Sequence, residues 1–238
     1  MEELKKEREG TDKTPFGNPL KRRGFIKYAG AAAGITTLIA SACDDDDDNG
    51  MANDAVDLGS GNTGILNYAY ALEQLEAAFY TMVVAHASFT TTFSASEQAI
   101  LTDIRDHEIA HREFFKTALA ADAIVDLEVD FSSVNFANRE SVLNTAKTFE
   151  DLGVAAYNGA GNLLTDGNLL LVAGKIVSVE ARHAAAIRDL LNPKSADFAG
   201  DNAVDASGLD GALMPSAVLS LADPFIKTKV TGSSLPTS

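Results

Sequence analysis

Ile104-Arg105-Asp106-His107-Glu108-Ile109-Ala110-His111 places a glutamate and a histidine three residues apart, and Glu180-Ala181-Arg182-His183 repeats the spacing 72 residues later. In a helix, residues i and i+3 project from one side within a turn, so each Glu-x-x-His can offer a carboxylate and an imidazole to one metal ion. One such pair is ordinary surface chemistry. Two pairs on two helices, with a lone glutamate on each of two others, make a carboxylate-bridged two-metal site inside a bundle.

The surrounding sequence supplies those helices. Ser94-Ala95-Ser96-Glu97 is a capping-box pattern that opens a helix running to about Ala121, with Ile100, Leu101, Ile104, Ile109, Phe114, Phe115 and Leu119 at apolar positions. The second pair lies on a helix from Asn168 to Leu191, preceded by a turn at Thr165-Asp166-Gly167 and stopped by Asn192-Pro193. Upstream of the first pair, apolar residues from Ile65 to Val83, Met82 included, recur at helical spacing between Gly64 and Ala87. Upstream of the second pair, a helix spans Asn138 to Leu164. Residues 122–137 alternate apolar and polar side chains, but an isolated strand has nothing to pair with, so they read as an extended crossover. Four helices of about 24 residues, each roughly 36 Å long, with the long link between the second and third, describe an all-α four-helix bundle with one crossover.

The first and third helices each carry a glutamate on the core-facing stripe, Glu73 and Glu150, followed seven residues later by Tyr80 and Tyr157. A charge on such a stripe is costly unless paired or bound to metal. Glu76 is the alternative to Glu73, or a seventh group. The third helix has Gly153 at the matching position, so the internal repeat favours Glu73. The tyrosines have two readings: core aromatics with satisfied hydroxyls, or groups that hydrogen-bond a ligand or carry an electron. His107 faces about 100° away from Glu108 and fits a surface or supporting role, as do Asp106 and Arg182. His86 reads as structural.

Composition agrees and excludes other classes. Of 238 residues, 46% are apolar, and 19 basic against 34 acidic side chains give a net charge of −15. Such a chain is soluble and globular, is repelled by nucleic-acid phosphates, and tolerates cations as partners. Its single cysteine, Cys43, excludes a disulfide framework and a thiolate zinc site. Carboxylate oxygens with imidazole and no thiolate suit Fe(II) or Mn(II). Two such ions support redox chemistry on O2 or peroxide.

Residues 1–42 read as an export signal. Lys21-Arg22-Arg23-Gly24-Phe25-Ile26-Lys27 precedes an apolar run of 15 residues from Tyr28 to Ala42, too short to span a bilayer as a helix. The paired arginines resemble a twin-arginine signal, and Leu38-Ile39-Ala40-Ser41-Ala42-Cys43 resembles a bacterial lipobox, which implies lipidation of Cys43 and a lipid-anchored protein at the periplasmic or outer face. Asp44 to Asp48 then belong to an acidic tether, residues 43–60, read either as a surface-export signal resembling that of the Bacteroidetes group or as a self-repelling spacer. Cleavage before Cys43 leaves 11 basic and 29 acidic residues, a net −18. Residues 61–192 form the bundle, and 193–238 a tail packing on it.

Leu72-Glu73-Gln74-Leu75-Glu76-Ala77-Ala78-Phe79-Tyr80 and the paired Glu-x-x-His motifs resemble the ferritin-like di-metal carboxylate proteins, in the bacterial branch related to plant desiccation-associated proteins. The resemblance covers roughly residues 60–230. It implies Glu73, Glu108, His111, Glu150, Glu180 and His183 as ligands of two Fe or Mn ions, with Glu108 and Glu180 bridging. It also implies an oxidoreductase of the ferroxidase, peroxidase or manganese-catalase type. A non-catalytic surface protein on the same fold, with a structural or lost metal site, is the competing expectation. Self-association stays open. A hollow storage shell fits poorly with a lipid-anchored subunit carrying a long tail.

Overall fold

A computed structural model describes residues 55–237; the expectations placed on residues 1–42, on Cys43 and on the aspartate run lie outside the described residues. Four long helices form the bundle: α1, Gly61–Ala85; α2, Ala95–Leu119; α3, Arg139–Ala160; and α4, Gly167–Leu191. A short helix, α5, Pro215–Ala222, follows in the tail. Each expected helix is present, with ends shifted by a few residues. The third ends four residues early, where Gly161–Leu163 tightens into a 3-10 turn. None of these helices is long and apolar enough to cross a membrane.

The capping box at α2 forms in full: the Ser94 hydroxyl accepts from the Glu97 amide, and the Glu97 carboxylate accepts from the Ser94 amide at 2.8 Å. At α3 and α4, Asn138 and Asp166 accept from the amides of Ser141 and Asn168. These side chains satisfy donors that a helix start leaves unpaired. Helix α1 packs chiefly on α2, and α3 on α4, so the bundle is two helical hairpins joined by the crossover.

Two buried amides on α1 hold that crossover. Asn67 donates to the carbonyls of Leu58 and Asp122 and accepts from the Ile124 amide, while Gln74 accepts from the Leu127 amide at 2.7 Å. Extended backbone crossing an apolar surface must place its polar groups somewhere, and Asn67 and Gln74 are where they go. Phe131 and Phe136 from the crossover then stack edge-on and tilted around Phe79 of α1, with Phe149 of α3 completing the cluster.

Two local expectations need correction. Met82 is 45% exposed, on the face of α1 that it shares with exposed Thr81 and Ala85, while Phe79, Tyr80 and Val83 turn into the core. The tether ends before residue 60: Val56–Asp57 pair in parallel with Val230–Thr231, and Leu58 is fully buried. The tail packs into the bundle. Val218, Ala222 and Leu235 lie in the main core, and the Leu213 amide donates to the Ala155 carbonyl beside Gly159, where a Cβ would stand 1.8 Å from the Leu213 oxygen.

Candidate metal centre

Facing turns at the middle of the bundle bring together Glu73 from α1, Glu108 and His111 from α2, Glu150 from α3, and Glu180 and His183 from α4. The four glutamates are fully buried, His183 is 4% exposed and His111 is half-buried. Two groups of donor atoms form, each within 4.8 Å of one another: Glu73, Glu108, His111 and Glu180; and Glu108, Glu150, Glu180 and His183.

Glu108 and Glu180 belong to both groups, one oxygen to each. Glu180 Oε1 lies 2.9 Å from His111 Nδ1, and its Oε2 lies 3.6 Å from His183 Nδ1. Glu108 Oε1 lies 2.7 Å from His183 Nδ1, and its Oε2 lies 3.4 Å from His111 Nδ1. Glu73 Oε2 and Glu150 Oε2 serve one group each, 3.3 Å from His111 Nδ1 and 3.4 Å from His183 Nδ1. Two shared and two unshared carboxylates are what a pair of bridged cations requires.

These contacts are close without being hydrogen bonds. Glu73 Oε2, Glu150 Oε2, both oxygens of Glu108 and of Glu180, and Nδ1 of each histidine are buried with no hydrogen-bond partner. Leaving so many buried polar atoms unpaired is expensive, and these atoms are the ones gathered in the two donor groups. Two divalent cations satisfy all of them, and their four positive charges balance four carboxylates. The residues present therefore fit a metal pair.

Without metal, protons must do part of this work. Burial, together with the charge of Glu180, raises the Glu108 carboxyl to about 8 despite the two histidines. Burial also raises Glu150 to about 7, against the pull of His183. Burial alone would push the His183 ring toward neutrality, but Glu108, Glu150 and Glu180 outweigh it and hold it up to about 12. His111 is held well above its usual range in the same way, by the Glu73 charge with Glu108 and Glu180. For Glu180 the burial penalty is overcome by both histidines, and its carboxyl falls to about 2.

The two tyrosines hold the unshared glutamates, each from the opposite hairpin. Tyr80 of α1 donates to Glu150 Oε1 on α3 at 2.5 Å, and Tyr157 of α3 donates to Glu73 Oε1 on α1. Burial first, and then the adjacent glutamate charges, keep both phenols protonated. Each bond occupies one oxygen and leaves the other, Oε2, for the centre.

His107 departs from a purely surface reading. Although exposed, it brings Nδ1 to 2.9 Å from His183 Nε2. With Nδ1 of His183 facing the carboxylates, its Nε2 carries the hydrogen and donates to His107, which fixes tautomer and ring orientation. Asp106 pairs with Arg105 and Arg182 with Ser178, so neither supports the centre. His86 caps the end of α1, bonded to Ser88 and stacked on Phe136. Glu76 is buried beside the six residues without joining either donor group.

A family model described as a ferritin-like domain matches residues 61–193, more than half of the chain. No curated protein matches the sequence.

Proposed function

The chain belongs to the ferritin-like domain family, and on that premise we propose that it holds two Fe or Mn ions and uses them in redox chemistry on O2 or peroxide. The observation that carries this reading is the set of buried, unpaired carboxylate and imidazole atoms gathered in two groups that share two glutamates. Two ions that each change by one electron supply the two electrons that reduce O2 to peroxide or peroxide to water.

The chain's own groups do the rest. Glu73, Glu150, His111 and His183 would each serve one ion, and Glu108 and Glu180, common to both donor groups, would hold the pair together. Tyr80 and Tyr157 limit the unshared glutamates to one free oxygen, and His107 keeps the His183 ring in register. An apolar pocket lined in part by Leu72, Phe115 and Tyr157 offers a small uncharged oxidant an approach beside Glu73's tyrosine.

The test is turnover by purified protein. Elemental analysis is expected to find two ions per chain, with oxygen uptake on Fe(II) addition or peroxide disproportionation by the Mn form. Two bound ions with neither reaction would instead make this a surface protein with a structural metal pair. No stoichiometric metal would sink the reading altogether.

We further propose that the protein is exported through its Arg22-Arg23 signal, already folded and metal-loaded, and anchored by lipid on Cys43. Cys43→Ala is expected to move the full chain from the membrane to the soluble fraction of bacterial cells. An unchanged membrane share would count against the anchor.

A further inference from the structure

Glu76 is the buried acid that a six-ligand centre leaves unused. It sits one turn along α1 from Glu73, is 3% exposed, and makes no hydrogen bond among the described residues. The charges that bear most strongly on it are other carboxylates: Glu180, Glu108, Glu150 and Glu73. A buried acid in such company needs either a cation or a permanent proton.

Its position shows which part of the centre it serves. A Cβ built on Gly153 would lie 3.0 Å from Glu76 Oε1 and 3.8 Å from Glu180 Oε2. Glu76 therefore reaches across the bundle to the α3 backbone, one turn past Glu150, into space that exists because residue 153 has no side chain. Glu180 Oε2 is the oxygen on the His183 side, whereas Oε1 lies against His111. So Glu76 starts on the helix of Glu73, but its Oε1 ends against α3 on the side of Glu180 Oε2, outside the group formed by Glu150 and His183 yet turned to the same side of the centre. The repeat is broken here: the first helix has an acid three residues after its glutamate, and the third has glycine.

We propose that Glu76 is a seventh carboxylate donor, assigned to the ion held by Glu150 and His183, with Gly153 as the residue that makes room for it. This rests on the two-metal reading and deepens it. The two positions are unequal: one ion has an extra anionic donor and binds first.

Titration of purified metal-free protein with Mn(II), followed by electron paramagnetic resonance and calorimetry, tests this. Wild type is expected to fill in two steps, the first tighter. Glu76→Gln is expected to weaken that first step about 10- to 100-fold, since even groups that only support a ligand change metal affinity by that much, and to leave the second unchanged. Gly153→Ala, which crowds Oε1 without removing the charge, should shift the same step in the same direction by less. Glu76→Gln removes a buried like charge and is expected to fold, as a thermal melt will show; if it does not, Gly153→Ala alone decides the matter. Two equal steps in wild type, or unchanged constants in both variants, would overturn the proposal and leave the two-metal reading standing. No Mn(II) binding by wild type would overturn both.

Discussion

Replacing Glu108 or Glu180 by alanine is expected to cost the protein both metal ions, whereas replacing Glu73 or Glu150 costs one. Each bridging carboxylate gives one oxygen to each donor group, so its loss thins both groups at once and removes half of the charge that keeps two cations a few Å apart. The affinity of each ion should fall by roughly a thousandfold, or about 4 kcal/mol. At micromolar metal that drops stoichiometry from two toward zero. Loss of Glu73 leaves Glu108, Glu150, Glu180 and His183 intact and should retain one ion. Elemental analysis after gel filtration reads the difference directly. If Glu108→Ala keeps one full equivalent of metal while Glu73→Ala keeps none, the assignment of bridging and unshared roles is wrong.

Metal-free and metal-loaded protein should answer pH in opposite directions. In the unfolded chain, glutamates lose their protons near 4.5 and histidines near 6.5. In the folded metal-free protein Glu108 holds its proton to about 8, Glu150 to about 7 and His183 to about 12, with His111 also raised. Between pH 5 and 8 the folded state therefore binds more protons than the unfolded one, and stability falls as pH rises. The histidine contribution is complete below the unfolded value and drains away as pH climbs toward the folded one. Glu180 has the other sign, since its stabilisation is present above 4.5 and disappears only as pH drops toward about 2, outside this window. One excess proton corresponds to about 1.4 kcal/mol per pH unit and these groups hold about two to three, so a net slope of roughly 3–4 kcal/mol per unit is expected. Metal binding demands deprotonated donors, so the loaded protein should gain stability over the same range. Denaturant midpoints from pH 5.5 to 8, with chelator and with excess Mn(II), measure both slopes; parallel curves would contradict the account.

Much of this molecule can be read from its sequence because the information is local. Helical periodicity depends on neighbours three and four residues away, and the Ser94–Glu97 cap is complete within four residues. The Glu-x-x-His spacing places two donors on one face without reference to the rest of the fold. Where partners are distant, the sequence is silent. Asn67 and Gln74 look like unremarkable polar residues until the crossover, more than 50 positions away, lies across them. His107 points away from its own helix's glutamate, as the 100° rotation requires, but His183 arrives from another helix to meet it. Glu76 and Glu73 compete for one role on a single helix, because spacing alone cannot say that both are buried or that Gly153 admits the second. The crossed tyrosines are of the same kind: their seven-residue offset puts them near the right face, but which glutamate each one holds is decided between hairpins.

Those crossed bonds have an architectural consequence. Each hairpin contributes one glutamate, one tyrosine and one Glu-x-x-His, and each of these finds on the opposite hairpin the residue that its counterpart finds in return. A two-fold axis through the centre would exchange Tyr80 with Tyr157, Glu73 with Glu150, and His111 with His183, leaving the tyrosine bonds in place; the bond from His183 to His107 has no counterpart, because Val179 stands where the repeat would need a second histidine. A single hairpin is therefore half of the donor set, and its counterpart supplies the matching half. What two identical copies could not supply is the exchange of an acid for a glycine at positions 76 and 153. There, and at His107, fusion into a single chain allows the halves to differ.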